Sequence, residues 1–281
     1  MCRPAWCGDR ALGRWPGDAV NRLAFSTLAC PGWSLEEAVD AAVKLGFVGL
    51  ELRLLDGALL SADLDATDRR RVAKVMIEAG LAVAAVDTSI RLSEPMNFAE
   101  LQQYLGMADS WAAPVVRVFP GQGTLDELRG GLELAAKAAD RFRAAVGVET
   151  HDGYTAAAVL GPLVRELEGA QLGVVWDMLH THRASEAPAA VLDQLGDRLL
   201  GVHIKDARPH SEYGWQLVPL GEGEVPVGAG IDELASRNYA GWLVVEWEKS
   251  WHPELAEPAV ALPHEMTELR RLVEAVRPGA R

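Results

Sequence analysis

Along the chain, apolar residues gather into short runs of strand length, and between those runs they return at helical spacing. Leu23 to Thr27 is the first run. Ser34-Leu35-Glu36-Glu37 then reads as a capping box, followed by Leu35, Ala38, Val39 and Ala42 on one helical face up to Gly46. Phe47 to Leu52 is a second strand, and Thr67 to Ala79 an amphipathic helix closed by Gly80. Leu81 to Val86 is a third strand, ending at Asp87, and Asn97 to Ser110 is a helix. Val115 to Phe119 is the fourth strand, unusual in carrying Arg117 within an apolar run. A long helix over Leu125 to Arg143 leads to strand five, Ala145 to Glu149. The next helix, Thr155 to Glu168, is expected to break or kink at Gly161-Pro162. Strand six runs from Gly173 to Asp177, a short helix covers Ala189 to Leu195, and strand seven runs from Leu199 to His203. Arg208 to Gly230 reads as loop and Ile231 to Arg237 as a short helix. Strand eight ends at Glu246, and a closing helical stretch, Glu254 to Val276, is interrupted by Pro258 and Pro263.

Strands alternating with helices in this way predict parallel pairing through crossover helices. The count of eight strands suits a single (β/α)8 TIM barrel, which needs about 250 residues; the chain has 281. The barrel is expected over residues 22–281. Residues 1–21 show no period and read as an irregular tail, which Trp6 and Trp15 could pin to the barrel. A doubly wound sheet is the alternative, but Thr27-Leu28-Ala29-Cys30-Pro31-Gly32 is not the Gly-rich phosphate loop such a sheet would favour after strand one.

The later runs share one ending. Strand five closes on Glu149, strand six on Asp177, strand seven on His203 and strand eight on Glu246. In a parallel barrel all carboxyl ends open on one face, so these four side chains could converge there. Two Glu, one Asp and one His form a mostly oxygen ligand set, suited to Mn²⁺, Mg²⁺ or a similar divalent ion. Any one such residue alone is more often a cap or a solvated loop residue. Four of them, each after its own apolar run, point to a site.

Composition narrows the functional classes. Formal net charge is −13, which repels phosphate backbones in the absence of a basic patch, and none is evident. No nucleic-acid partner is expected. The three cysteines, Cys2, Cys7 and Cys30, build no disulfide framework, so a reducing compartment is the default. No apolar stretch is long enough to span a membrane. Gly8, Asp9, Arg10 and Arg14 interrupt any signal-peptide core, and a cytoplasmic protein is expected.

From about Arg22 to about Val276 the chain resembles the xylose isomerase-like barrel superfamily, in particular its sugar phosphate isomerase/epimerase group, also called the AP endonuclease family 2 group. The matching motifs are Leu50-Glu51-Leu52-Arg53, Val148-Glu149-Thr150-His151, Trp176-Asp177 with His180, His203-Ile204-Lys205-Asp206, Leu220-Gly221-Glu222-Gly223-Glu224 and Val245-Glu246-Trp247-Glu248. They are specific for the superfamily and weak for the substrate. The resemblance implies one divalent ion on Glu149, Asp177, His203 and Glu246, Mn²⁺ first, with Mg²⁺, Co²⁺ or Zn²⁺ as alternatives. It implies that His180 points at the substrate and that Arg208 binds it. The chemistry is that of an ion which holds the substrate's hydroxyl and carbonyl oxygens, acidifies the adjacent C–H and stabilises an enediolate. Glu149 and Glu246, on opposite sides of the substrate, then move the proton.

Around that set, His151 and Lys205 could reach the substrate, although a loop histidine and an inter-strand salt bridge are equal alternatives. Glu51 could line the mouth or pair with Arg53 or Arg117. Trp247 and His252, with Lys249 and Trp251, crowd the strand-eight loop as a pocket wall or as packing for the tail. His182, His210 and His264 read as solvated residues. Epimerisation, aldose–ketose isomerisation and dehydration all suit one such site, so the expected activity is a metal-dependent isomerase or epimerase of a sugar, keto-sugar or inositol derivative. A lyase is the runner-up: a keto-inositol or dehydroshikimate-type dehydratase, or an enzyme that cleaves C-glycosides or 3-keto-glycosides. A nuclease like endonuclease IV fits poorly, with seven His in the chain and an acidic surface; a non-enzymatic sugar-binding role is the third rival. Enzymes of this group are often dimers or tetramers, which leaves a homo-oligomer or a partner subunit open.

Overall fold

The computed structural model describes residues 22–95, 97–167, 171–212 and 214–276. Eight parallel strands close into a barrel: β1 Arg22–Ser26, β2 Gly49–Leu52, β3 Ala82–Arg91, β4 Val115–Phe119, β5 Ala145–Glu149, β6 Leu172–Asp177, β7 Leu199–Ile204 and β8 Trp242–Val245. Each strand pairs with its neighbours in sequence, and β8 pairs with β1 to close the ring. The outer layer is α1 Leu35–Leu45, α2 Ala66–Glu78, α3 Phe98–Ser110, α4 Leu125–Ala139, α5 Ala157–Glu166, the short α6 Met178–Arg183, α7 Pro188–Leu195, α8 Val227–Ser236 and α9 Pro258–Ala275. This is the (β/α)8 barrel read from the apolar pattern. The expected tail over residues 1–21, with Trp6 and Trp15, lies outside the described residues.

Local chemistry sets the element limits. The Ser34 capping box forms with Glu37, and Gly46 ends α1 in the left-handed conformation, φ 82°. Asp65 accepts from the amides of Thr67 and Asp68, so α2 begins one residue before Thr67. The main core lies between strands and helices, where β-strand residues such as Phe25, Leu50, Val116, Val146, Val174 and Trp176 meet the apolar helix faces.

Side chains alternate across a strand, and this decides what fills the barrel. Trp242 and Val244 belong to a small inner cluster with Ala24 and Ala84, and Val175 and Val115 to another with Ala85. Two residues further along each strand, on the same side, stand Glu246, Asp177 and Arg117. The apolar floor and the charged mouth are therefore successive rows of one inward face.

Several expectations are corrected. Gly161-Pro162 does not break α5, which runs through Pro162. Leu160, Leu163 and Val164 are buried on one side of that helix, and this burial offsets the lost hydrogen bond. Gly161 is there for contact: a Cβ would stand 2.4 Å from the Gln194 carbonyl oxygen. Pro258 starts α9 rather than interrupting it, and Pro263 is held inside the helix by the buried Leu262, Met266 and Leu269. The region 208–230 is only partly loop: Asp206–His210 and Gly214–Val218 form an antiparallel hairpin, residues 219–226 are loop, and α8 begins at Val227. His264 is half-buried, not solvated, with Nε2 2.9 Å from the Leu220 carbonyl oxygen. Among the described residues no helix is long and apolar enough to cross a membrane.

Candidate metal and active site

Glu149 and Asp177 are the last residues of β5 and β6, His203 is the penultimate residue of β7, and Glu246 follows β8 directly. Strand register aligns them: Asp177 pairs with His203, and His203 with Val244. All four side chains are buried. One ligand atom from each lies within 4.8 Å of all the others. His203 is at the centre, with Nδ1 3.3 Å from Glu149 Oε1 and 3.5 Å from Glu246 Oε1. Its Nε2 is 3.0 Å from Glu51 Oε2.

Three carboxylates packed together out of water repel one another unless a cation lies among them. Lys205 supplies one such charge. Its Nζ is 2.8 Å from Asp177 Oδ2 and 2.6 Å from Glu246 Oε2, and it also contacts Glu248. This is the inter-strand salt bridge among the sequence alternatives for Lys205. The donor set, three carboxylates and one imidazole converging from four strands, fits a hard divalent ion.

Burial penalises charge on both glutamates, with opposite outcomes. In Glu149 the Arg117 guanidinium and His203 outweigh burial and hold the carboxyl well below its ordinary value. In Glu246 burial outweighs Lys205 and His203 and pushes the carboxyl up. His203 is pushed well above the ordinary histidine value: burial opposes this, but Glu51, Glu246 and Glu149 surround the ring.

The other candidates divide into two groups. His180 and His151 flank the ligand set. Asp177 caps α6 by accepting from the His180 amide at 2.9 Å, which fixes His180 over the mouth. Burial lowers the His180 pKa to about 4, and neither ring nitrogen has a hydrogen-bond partner. The His151 ring packs edge-on against His180 at 4.5 Å and tilted against Phe119 at 4.7 Å, with Nδ1 2.9 Å from Asp152 Oδ1. Glu51 joins the cluster through His203 rather than through an arginine. The remaining residues stand apart from the ligand atoms. Arg208 is exposed on the hairpin, opposite Gln216. Trp247 is buried in the core, its indole donating to the Ala256 carbonyl. His252 is half-exposed and 3.6 Å from Glu248 Oε2.

Sequence reading named three further positions without giving them a role. Glu248 lies just beyond β8, two residues past Glu246, and both meet Lys205 Nζ; the Glu-x-Glu spacing was the available signal. Asp87 was seen only as a strand end; it accepts from Arg117 Nη2 at 2.6 Å. Asp206 ties the Gly221–Glu224 loop to β7, accepting from the amides of Ala207, Gly221, Gly223 and Val225. A Cβ at Gly223 would fall 2.1 Å from Asp206 Oδ1, so the loop can close only around glycine.

With this geometry in place, comparison is informative. The family described as xylose isomerase-like TIM barrel matches residues 39–272. The chain belongs to that family. No curated protein matches it in sequence. Several solved structures share its fold at low identity. The probable 3-DHS dehydratase AsbF from Bacillus anthracis is 19% identical, covers 89% of this chain and 98% of its own, and superposes with a TM-score of 0.72. The apo form of 3-keto-D-glucoside 4-epimerase, YcjR, from E. coli is 18% identical, with coverage of 90% and 98% and a TM-score of 0.71. The IOLI protein with a bound zinc atom is 15% identical, with coverage of 91% and 99% and a TM-score of 0.75. At these identities the likeness establishes the barrel, and the chemistry rests on the residues.

Proposed function

We propose that the chain is a divalent-metal-dependent isomerase or epimerase of a small carbohydrate: a sugar, keto-sugar or inositol derivative. The observation that carries this reading is the convergence of Glu149, Asp177, His203 and Glu246 from four strand ends. These residues would hold the ion. When bound, it polarises the substrate's oxygens and makes the neighbouring C–H acidic.

The protein's own groups then divide the proton work. Glu149, kept ionised beside Arg117, is the base. Glu246, on the neighbouring strand end beyond His203 and held by Lys205 Nζ at 2.6 Å, is placed to return the proton. Lys205 keeps the Asp177 and Glu246 carboxylates in place. His180, neutral at physiological pH, offers a ring nitrogen to a substrate hydroxyl, and His151 packs behind it.

A lyase reading is supported by the fold shared with a probable dehydratase and by the same proton abstraction followed by loss of a β-hydroxyl. Incubation with ketoses, inososes and 3-keto-glycosides in D2O, with Mn²⁺ present, separates the two. Deuterium at a substrate carbon with an isomeric product supports the isomerase. Ultraviolet absorbance of an enone shows the lyase. No exchange with any of these substrates contradicts both.

A further inference from the structure

Overlapping the ligand set, and sharing His203 and Glu246 with it, is a second group that adds Glu51 and Asp87. One atom each from Glu51, Asp87, His203 and Glu246 also falls within 4.8 Å of the others, and all four residues are buried. Glu51 and Asp87 stand within hydrogen-bond reach of one another, and apart from that contact Glu51 Oε1 and Asp87 Oδ1 are buried without a donor. Oxygen donors in this number, with unsatisfied lone pairs in a dry interior, call for a cation.

Arg117 provides it. The side chain is 1% exposed. Nη2 is 2.6 Å from Asp87 Oδ2, and Nε is 3.3 Å from Glu149 Oε2. Nη1 donates to the Thr88 carbonyl at 3.1 Å, and the guanidinium lies 4.1 Å from the centre of the Phe119 ring. It is thus fixed from several sides and joins Asp87 to Glu149. The nearby Arg53 is also buried, with Nη1 lacking a hydrogen-bond partner, and it feels the Asp87 and Glu246 carboxylates without pairing to either. Its Nη2 donates to Ser89 Oγ, and it forms no ion pair among the described residues.

We infer that Arg117 is a built-in second cation that limits the barrel to one divalent ion, and that Glu51, Asp87 and Glu246 form a latent site for a second. This rests on the single-ion reading of Glu149, Asp177, His203 and Glu246. A guanidinium carries one charge, cannot be lost by chelation and cannot act as a Lewis acid. The carboxylates of this second group are therefore neutralised without adding a second reactive ion beside the first.

The test is metal stoichiometry. Wild type, Arg117→Met and the double variant Asp87→Asn/Arg117→Met are freed of metal and equilibrated with Mn²⁺. The ions retained per chain are counted by elemental analysis after gel filtration. Wild type is expected to hold one ion, Arg117→Met two, and the double variant one. Mn²⁺ should raise the Tm of Arg117→Met more than that of wild type, because it replaces the missing charge. If Arg117→Met folds only with metal, refolding in Mn²⁺ should restore it and its second ion. One ion in wild type and one in Arg117→Met overturns this inference alone. So does failure of Mn²⁺ to restore an unfolded Arg117→Met while the double variant folds. No ion in wild type overturns the single-ion reading and this inference with it.

Discussion

The two sides of the barrel mouth both carry buried charges but arrange them differently. On the β2–β4 side, Asp87 and Arg117 pair directly, Glu51 is held by His203, and the guanidinium is anchored to the Thr88 carbonyl. On the β5–β8 side, Glu149, Asp177 and Glu246 point at a common centre, and Lys205 offsets only part of their charge. One side is electrically closed and the other is open to a divalent ion. The same residue types therefore act as scaffold or as site according to whether a partner cation is built into the chain.

The largest effects should come from the open side. His203→Ala should abolish Mn²⁺ retention and activity, measured by elemental analysis and turnover, since it removes the imidazole at the centre of the set. Glu149→Gln and Glu246→Gln should each slow deuterium exchange by about 10²–10⁴-fold, the usual contribution of a positioned acid or base; exchange that persists in both would remove the assigned pair. On the closed side, Asp87→Asn should leave activity less affected but cost about 3–5 kcal/mol of stability, because it removes one partner of a buried ion pair. Urea denaturation checks this.

Lys205→Met sharpens the contrast further. Loss of the ammonium should lower the Tm of the metal-free protein and tighten Mn²⁺ binding by about tenfold, equivalent to ~1.4 kcal/mol, as read by titration calorimetry. Unchanged affinity would mean that Lys205 does not oppose the ion.

The smallest effect lies outside the barrel. Glu265 on α9 is buried, and burial, opposed by the Leu220 amide and reinforced by Asp206 and Glu222, pushes its carboxyl up to about 8. Between about 4.5 and about 8 the folded state keeps a proton that the unfolded state has released. Stability should therefore fall as pH rises through that window and level off above it. Glu265→Gln should flatten that part of the Tm profile, and a profile identical to wild type would contradict the assignment.

Much of this was legible in the sequence. β4 and β5 occupy Val115–Phe119 and Ala145–Glu149, the limits their apolar runs mark. Strands buried on both faces read as continuous apolar segments, and a charged residue at the end of such a segment in a parallel barrel has one direction to face. That is why the four candidate ligands could be named. The Asp87–Arg117 pair was not legible, because it joins residues 30 apart in the chain whose contact depends on strand register. The hairpin after β7 was hidden because its first strand, Asp206–His210, shows no apolar alternation and contains Pro209, although Trp215 and Leu217 alternate with polar positions on the second; register between the two forms it. Pro162 and Pro263 misled because local helix cost was weighed without the tertiary burial that offsets it.

The whole account depends on one cation shared by four strands. Crystals grown with MnCl2 and measured at the manganese absorption edge test this directly. The account predicts a strong anomalous peak among Glu149, Asp177, His203 and Glu246, with all four side chains turned toward it. No peak at the barrel mouth, or a peak held by other residues with His203 turned away, would contradict it.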